Sequence, residues 1–507
     1  MTRPQDHEPQ PPSPTGLSRF LGVLVLVVLP LTWWGWIHWP QPAGERSPAP
    51  SGSAPPAARQ ASPTPTAHID EVFKRGYLRV VTRISPTIYV PDALWPQGIE
   101  HDLVRGFADR LGLDVQFLVA DSVEEVYALL RRGHADLAAA GLTVSKRRRA
   151  HFRFGPSYMT VHRQLVHHRD HESPASIHEL GAHVLNVARG TSPDDWLDTV
   201  RADFDNFVIH SRMEDTLDLV TLIEQGEVDY AVVHSHEGLI GQHVARNLTL
   251  GFHIGPPVAF AWAFSRQHDT SLLVEAEAYF AELRTSRRLN DLLDRYYTQF
   301  ETLDRDLALA FMAAVERRLT PFERWFREAG ARHDIDWRLL AAMGYKESKW
   351  DPQARSHMGA HGLMQITLPT ARELGLTNPD DPRENILAAA RYLDQLRDLV
   401  APEAPEPDRS YLALAAYNIG MGHLSEARAL TKRKGADPDR WRDVRRHLPL
   451  LMKPEYYRRS RYGFARGSET VEYVENIRAF HDLMIWVEQR RVRDRLAAGE
   501  EAATSGQ

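Results

Sequence analysis

A single carboxylate occupies a position suited to acid catalysis. In the stretch DWRLLAAMGYKESKWDPQARSHMGAHGLMQITLPT, Asp336 is a favourable N-cap, Trp337 to Ser348 lacks Gly and Pro except for Gly344, and Pro352 bars continuation. The spacing therefore predicts one short helix. Leu340, Met343, Gly344 and Glu347 fall at i, i+3, i+4 and i+7, so Glu347 extends, in the last turn, a stripe that is otherwise apolar or small. Burial and the negative end of the helix dipole both disfavour an ionised carboxylate there and raise its pKa. A carboxyl group that stays protonated near neutral pH is what a general acid requires. For a lone Glu the competing reading is a side chain fraying outward at a helix end, so its neighbours in sequence matter.

Downstream, Gly359-Ala360-His361-Gly362-Leu363-Met364-Gln365-Ile366-Thr367 carries two glycines that permit a tight turn before a new helix opens near Pro369. Ala415-Ala416-Tyr417-Asn418-Ile419-Gly420-Met421-Gly422 closes another apolar helix with glycines at its C-terminus. In that order, Glu347-Ser348-Lys349-Trp350, Gly362-Leu363-Met364-Gln365-Ile366 and Ala416-Tyr417-Asn418-Ile419-Gly420 resemble the successive motifs of the lytic transglycosylase domain, a lysozyme-like all-α fold that cleaves peptidoglycan. The resemblance continues through Asn385-Ile386, Tyr392-Leu393, Glu469-Thr470 and Tyr473-Val474.

Ordinary glycosidases place two carboxylates across the scissile bond. Only one well-placed acid is visible here, because Asp351 follows the helix end and has a sufficient role as a turn residue before Pro352. The resemblance implies a mechanism that fits. Glu347 protonates the glycosidic oxygen between N-acetylmuramic acid and N-acetylglucosamine, then takes the proton from the muramoyl 6-hydroxyl as that group attacks the anomeric carbon. Intramolecular attack gains from proximity and needs neither metal nor cofactor. By the same resemblance Ser348 bonds near the cleaved sugar, Met364 and Gln365 line the groove, Tyr417 orients Glu347, Asn418 meets the acetamido group, and Glu469 and Tyr473 join the substrate site. Met364 reads equally as core and Asn418 as a helix C-cap. The alternatives are a lysozyme-like hydrolase using water and a non-catalytic sensor that grips the wall.

The elements that carry these residues are laid out along a chain of 507 residues with ordinary composition, 43% hydrophobic and 25% charged, and a net charge of -6 that gives no reason to expect nucleic acid. It has no cysteine, which excludes disulfides, thiolate metal sites and an acylated-cysteine anchor. His167, His168 and His171 cluster without the further ligand and geometry that zinc requires, and read as a polar strand. The expected order is 1–19 cytoplasmic tail, 20–39 transmembrane anchor or signal, 40–68 Pro/Ala-rich linker, 69–300 sensor domain, 301–490 catalytic domain and 491–507 disordered tail. FLGVLVLVVLPLTWWGWIHW, Phe20 to Trp39, matches one bilayer crossing, with Arg19 on the cytoplasmic side and four tryptophans at the far interface. An uncleaved inner-membrane anchor is the favoured reading; a cleaved signal, sending the protein to the outer membrane, is the alternative.

From Ile69 strand and helix signals alternate, which predicts two lobes of parallel sheet covered by helices. Gly76-Tyr77-Leu78-Arg79-Val80, Gly133-His134-Ala135-Asp136-Leu137 and Gly141-Leu142-Thr143-Val144-Ser145-Lys146-Arg147-Arg148 resemble periplasmic solute-binding proteins of the amino-acid type. That resemblance assigns Thr143 and Arg148 to a ligand α-carboxylate, a task suited to a bidentate guanidinium. His234 stands where the family commonly offers an acid to a ligand amino group, so a muropeptide stem competes with an amino acid as the expected ligand. Arg442 to Arg466 interleaves basic residues with aromatics, either as a groove for an acidic glycopeptide or as a solvated face. The two resemblances in this order are those of the F-type family of membrane-bound lytic murein transglycosylases.

Overall fold

The computed structural model describes residues 67–505 except 86–87, 92–96, 181–182, 194, 197–207 and 213–215. The expected tail, membrane segment and nearly all of the linker lie outside these residues. Among the described residues no helix is long and apolar enough to cross a membrane.

Short runs rich in β-branched and aromatic residues form β1 (Tyr77–Thr82), β2 (Asp114–Val119) and β4 (Phe152–Phe154), and the buried pair Leu137–Ala138 forms β3 beside β1. The second lobe adds β5 (Met159–His168), β6 (Val184–Ala188), β7 (Val208–Arg212), β8 (Tyr230–His234) and β9 (Leu248–Phe260), and β10 (Ala263–Ser265) returns to the first. The two sheets have the orders β2-β1-β3-β10-β4 and β7-β6-β8-β5-β9. β1 pairs in parallel with β2 and β3, and β6 with β7 and β8, as the alternation predicts. The expectation of wholly parallel sheets is corrected elsewhere: β5 is antiparallel to β8 and β9, and β10 to β3 and β4. These strands carry the chain between lobes, where no helical crossover reverses its direction. Helices cover both faces of the first sheet, with buried clusters around Leu78, Phe107 and Trp262 on one side and around Val126 and Ala138 on the other.

The helix Arg288–Thr302 leads from the first lobe to an array of helices broken by one hairpin, β11 (Ala360–His361) and β12 (Ile366–Thr367). The core of this helical region is aromatic: Phe311 stacks on Phe480 at 4.4 Å and meets Tyr345 at 4.8 Å, with Trp350 packed beside them at 5.7 Å. The last helix, Gly467–Ser505, runs on through the stretch expected as a disordered tail. Arg, Leu, Ala and Glu fill that stretch, and their helix propensity outweighs the small polar character that suggested disorder.

The solute-binding-like and helical regions meet along a seam. Ile240, on the second-lobe helix Ser235–Val244, joins the core cluster of the helical region. Arg305 donates to the carbonyls of Gln242, Arg246 and Leu248, each at 3.0 Å. From the first lobe, Asp102 pairs with Arg295 at 3.1 Å, and Arg295 reaches Asp408 of the helical region at 3.5 Å.

Candidate active site

The helix Trp337–Ser348 has the bounds its sequence predicts, with Asp336 accepting the Arg338 N–H at 2.9 Å. It ends before Pro352 would stop it, because Lys349 and Trp350 take positive φ values of 54° and 58°. The buried Trp350 indole then donates to the Ala341 carbonyl at 2.8 Å and folds this segment back onto the helix. Leu340, Met343 and Gly344 are buried, and Glu347 continues their face at the helix end, half-buried.

Gly344 is what lets the Gly362–Gln365 turn lie directly on this helix. A Cβ at Gly344 would come within 2.9 Å of Leu363 Cδ2, 3.0 Å of Met364 Sδ and 3.0 Å of Phe326 Cζ. Four successive carbonyls of the turn are each held by a side chain. Asn385 Nδ2 donates to His361 at 3.2 Å, Gln365 Nε2 to Gly362 at 2.8 Å, Ser348 Oγ to Leu363 at 2.7 Å and the Tyr417 hydroxyl to Met364 at 2.8 Å. Asn385 Oδ1 also accepts the Met364 N–H at 2.7 Å, so a fully buried amide clamps the turn from below. Gly362 has φ 75°, and a Cβ there would sit 2.5 Å from the Pro379 carbonyl oxygen.

The Tyr473 hydroxyl, arriving on the Gly467–Ser505 helix, donates to Glu347 Oε1 at 2.5 Å. Burial is the largest influence on Glu347 and pushes its pKa up to about 7, against the lowering effects of Tyr473 and Lys346. Neither of those neighbours is a carboxylate. Burial also raises the Tyr473 and Tyr417 phenols well above their ordinary value, which keeps both neutral hydrogen-bond donors. The site thus has one carboxyl group that exchanges its proton near neutrality and a neutral donor that steadies the carboxylate form.

Three sequence expectations change in detail. Tyr417 does not bond to Glu347; its hydroxyl holds the Met364 carbonyl, and Tyr473 takes the orienting contact. The Met364 side chain is wholly buried in the core and does not line a groove. Ser348 directs its hydroxyl to the turn's own backbone, and Gln365 directs its amide to the Gly362 and Ala354 carbonyls. Asn418 is exposed and its Oδ1 accepts the Thr470 hydroxyl at 2.8 Å, while Glu469 is exposed beside Arg466 at 3.5 Å. Sequence reading missed the clamping role of Asn385 and the support that Thr470 gives Asn418. Both lie within the quoted motifs, but a polar residue buried from a distant helix has no local spacing signal.

In the two-lobed region Thr143, Arg148 and His234 line one cavity between the lobes, with a volume of about 10 Å³, room for a single water. The Arg148 guanidinium is occupied by protein: Nη1 donates to Thr143 Oγ1 at 3.0 Å and to the Tyr127 hydroxyl at 3.2 Å, Nη2 to the Gly190 carbonyl, and Nε faces Asp195 Oδ2 at 2.8 Å. Asp195 also accepts from Ser145 Oγ at 2.9 Å. The carboxylate expected from a ligand is supplied by the chain itself. His234 is not the only polar group on its side, since Glu237 Oε2 lies 3.0 Å from its Nδ1. Burial works to raise the Glu237 pKa, but His234 outweighs it and brings it to about 2, so the cleft does hold an ionised acid, three residues beyond the expected position.

Residues 324–439 match the family described as Transglycosylase SLT domain, and residues 78–299 match bacterial extracellular solute-binding proteins, family 3. A solute-binding-like α/β domain is therefore followed by a helical transglycosylase-type domain. The "Membrane-bound lytic murein transglycosylase F" of Stutzerimonas stutzeri is 37% identical over 440 residues, 86% of this chain and 90% of the relative. "Membrane-bound lytic murein transglycosylase F 1" of Alkalilimnicola ehrlichii is 40% identical over 428 residues, 84% of this chain and 87% of the relative. The chain belongs to the membrane-bound lytic murein transglycosylase F family.

Proposed function

We propose that Glu347 performs both proton transfers of a peptidoglycan lytic transglycosylase. The lytic transglycosylase activity follows from family membership. The observation that carries the residue assignment is the pairing of Glu347 with the Tyr473 hydroxyl at 2.5 Å and a Glu347 pKa of about 7. As an acid Glu347 gives its proton to the glycosidic oxygen between N-acetylmuramic acid and N-acetylglucosamine. As a carboxylate, steadied by Tyr473, it accepts the proton of the muramoyl 6-hydroxyl, which closes on the anomeric carbon to leave a 1,6-anhydro end. Exposure supports a substrate-binding role for Asn418 and Glu469, and Ser348, Gln365 and Tyr417 act by holding the turn beside Glu347. Digestion of purified peptidoglycan followed by mass spectrometry tests this: anhydro ends, lighter by one water than hydrolysis products, are expected, and reducing ends would move the enzyme to the lysozymes.

The two-lobed domain is read as a sensor for a carboxylate-bearing wall fragment, a muropeptide stem in preference to a free amino acid. Thr143 and Arg148 support that reading, and Asp195 qualifies it, because a ligand carboxylate must displace Asp195 from Arg148. Calorimetry with a stem peptide should therefore show tighter binding to Asp195→Asn and about tenfold or greater loss in Arg148→Ala. Equal binding by Arg148→Ala, or tight binding of a free amino acid, would remove the stem-peptide reading. Phe20 to Trp39 is read as an inner-membrane anchor and residues 40–68 as its tether, with both domains periplasmic; a mature N-terminus between Gly44 and Ser47 would replace the anchor with a cleaved signal and favour the outer membrane.

A further inference from the structure

We propose that His68, Glu71 and His268 bind a divalent transition-metal ion of the zinc type, where the first helix joins the first lobe. His68 and Glu71 are one turn apart on the helix His68–Arg75 and share a face. His268 arrives from the turn between β10 and the helix Ser271–Thr285, two hundred residues away. One ligand atom from each of the three lies within 4.8 Å of the other two.

The observation that points to a ligand is the state of the imidazoles. His68 is 5% exposed, yet neither of its ring nitrogens has a hydrogen-bond partner, and His268 Nε2 is likewise buried without one. Buried polar atoms are nearly always paired, so two stacked imidazoles with orphaned ring nitrogens require a cause. The surroundings fit a metal-bound imidazole. Glu71 Oε2 is 3.7 Å from His68 Nδ1, and Asp136 Oδ1 is 3.6 Å from Nε2 on the opposite side. An ion on Nδ1 would leave Nε2–H directed at Asp136, the carboxylate behind the ligand that fixes tautomer and ring orientation in metal sites. Asp136 is itself held by Arg75 and Arg79.

The backbone is already docked. The His68 N–H donates to Asp269 Oδ2 at 3.0 Å and the Ile69 N–H to Ser271 Oγ at 3.0 Å. Two nitrogens and one carboxylate oxygen form a borderline donor set that suits zinc and leaves a fourth position for water. Zinc bonds of about 2.0–2.1 Å set ligand atoms roughly 3.3 Å apart. Loading therefore requires the two rings to splay from their present stack, with centroids 3.8 Å apart, and exposed Glu71 to swing inward. The ion would clasp the helix His68–Arg75 to the turn that carries residue 268.

The test uses the full chain in detergent, stripped with EDTA and titrated with zinc chloride. Saturable binding is expected with a rise of several degrees in Tm, and cobalt(II) should give the visible bands of a tetrahedral site. Glu71→Gln and His268→Gln alter an exposed and a half-buried side chain, so both should fold with unchanged circular dichroism. Each should weaken zinc binding about tenfold or more and remove the cobalt bands. No zinc-dependent rise in Tm, or wild-type cobalt bands retained in both variants, would overturn the site.

Discussion

Glu347 has a folded pKa of about 7 against an ordinary value of 4.5, which ties its chemistry to stability. Below pH 4.5 it is protonated in both folded and unfolded chains and costs nothing. Between 4.5 and 7 the unfolded chain releases the proton first, so stability falls as pH rises, by roughly 3 kcal/mol in all, and is level above. Glu347→Gln removes that penalty along with the acid. Turnover should vanish, and Tm should exceed wild type at pH 8 while matching it at pH 4; substantial residual turnover would show that another group donates the proton. Wild-type activity should decline above about pH 7 as the acid ionises. Because Tyr473 lowers the Glu347 pKa, Tyr473→Phe should shift that decline to higher pH and reduce kcat about ten- to a hundredfold. A lower kcat with an unmoved pH profile would give Tyr473 a packing role only.

At the scale of elements, the proposed site is shaped by how closely the Gly362–Gln365 turn lies on the Trp337–Ser348 helix. Gly344→Ala keeps helix propensity and would raise it, yet its methyl carbon meets three side-chain atoms at 2.9–3.0 Å. The turn must then lift, and with it the carbonyls held by Ser348 and Tyr417. The expected cost is about 1–3 kcal/mol in urea denaturation with a clear loss of kcat. A variant more stable than wild type, as propensity alone predicts, would mean that the turn adjusts freely. The N-terminus of the same helix is fixed differently. Burial would raise the Asp336 pKa, but His481 and Arg338 hold it well below its ordinary value, so this carboxylate stabilises the fold above the usual Asp range and loses that effect in acid.

At the scale of the molecule, Arg295 ties three parts together. Its guanidinium meets Asp102 of the first lobe and Asp408 of the catalytic domain, and its carbonyl accepts from Arg478 at 3.1 Å, on the helix that also carries Tyr473. Arg295→Ala would leave the buried Asp408 without this cation and open the seam on the first-lobe side. Calorimetric unfolding should then resolve the two domains into more widely separated transitions. A thermogram identical to wild type would show that the remaining contacts, among them those of Arg305 and the packing of Ile240, hold the domains together without the Arg295 side chain.

The chain order, the two domain types, the helix Trp337–Ser348 and the acid at its end were legible because each rests on local spacing: a cap, an apolar period, a stop. Parallel pairing of β1 with β2 and β3 was legible for the same reason, since alternating elements leave few ways to cover a sheet. The antiparallel crossing strands β5 and β9 were not, because direction between lobes is a property of the whole path. Nor did spacing show that Tyr473, and not Tyr417, would reach Glu347 across 126 residues, or that Asp195 would fill the place of a ligand carboxylate beside Arg148. Residue types set which groups can give a proton or carry a charge. Which of them meet, and how far burial moves Glu347 toward neutrality, was decided only when distant helices closed over it and removed the water that would have kept its charge.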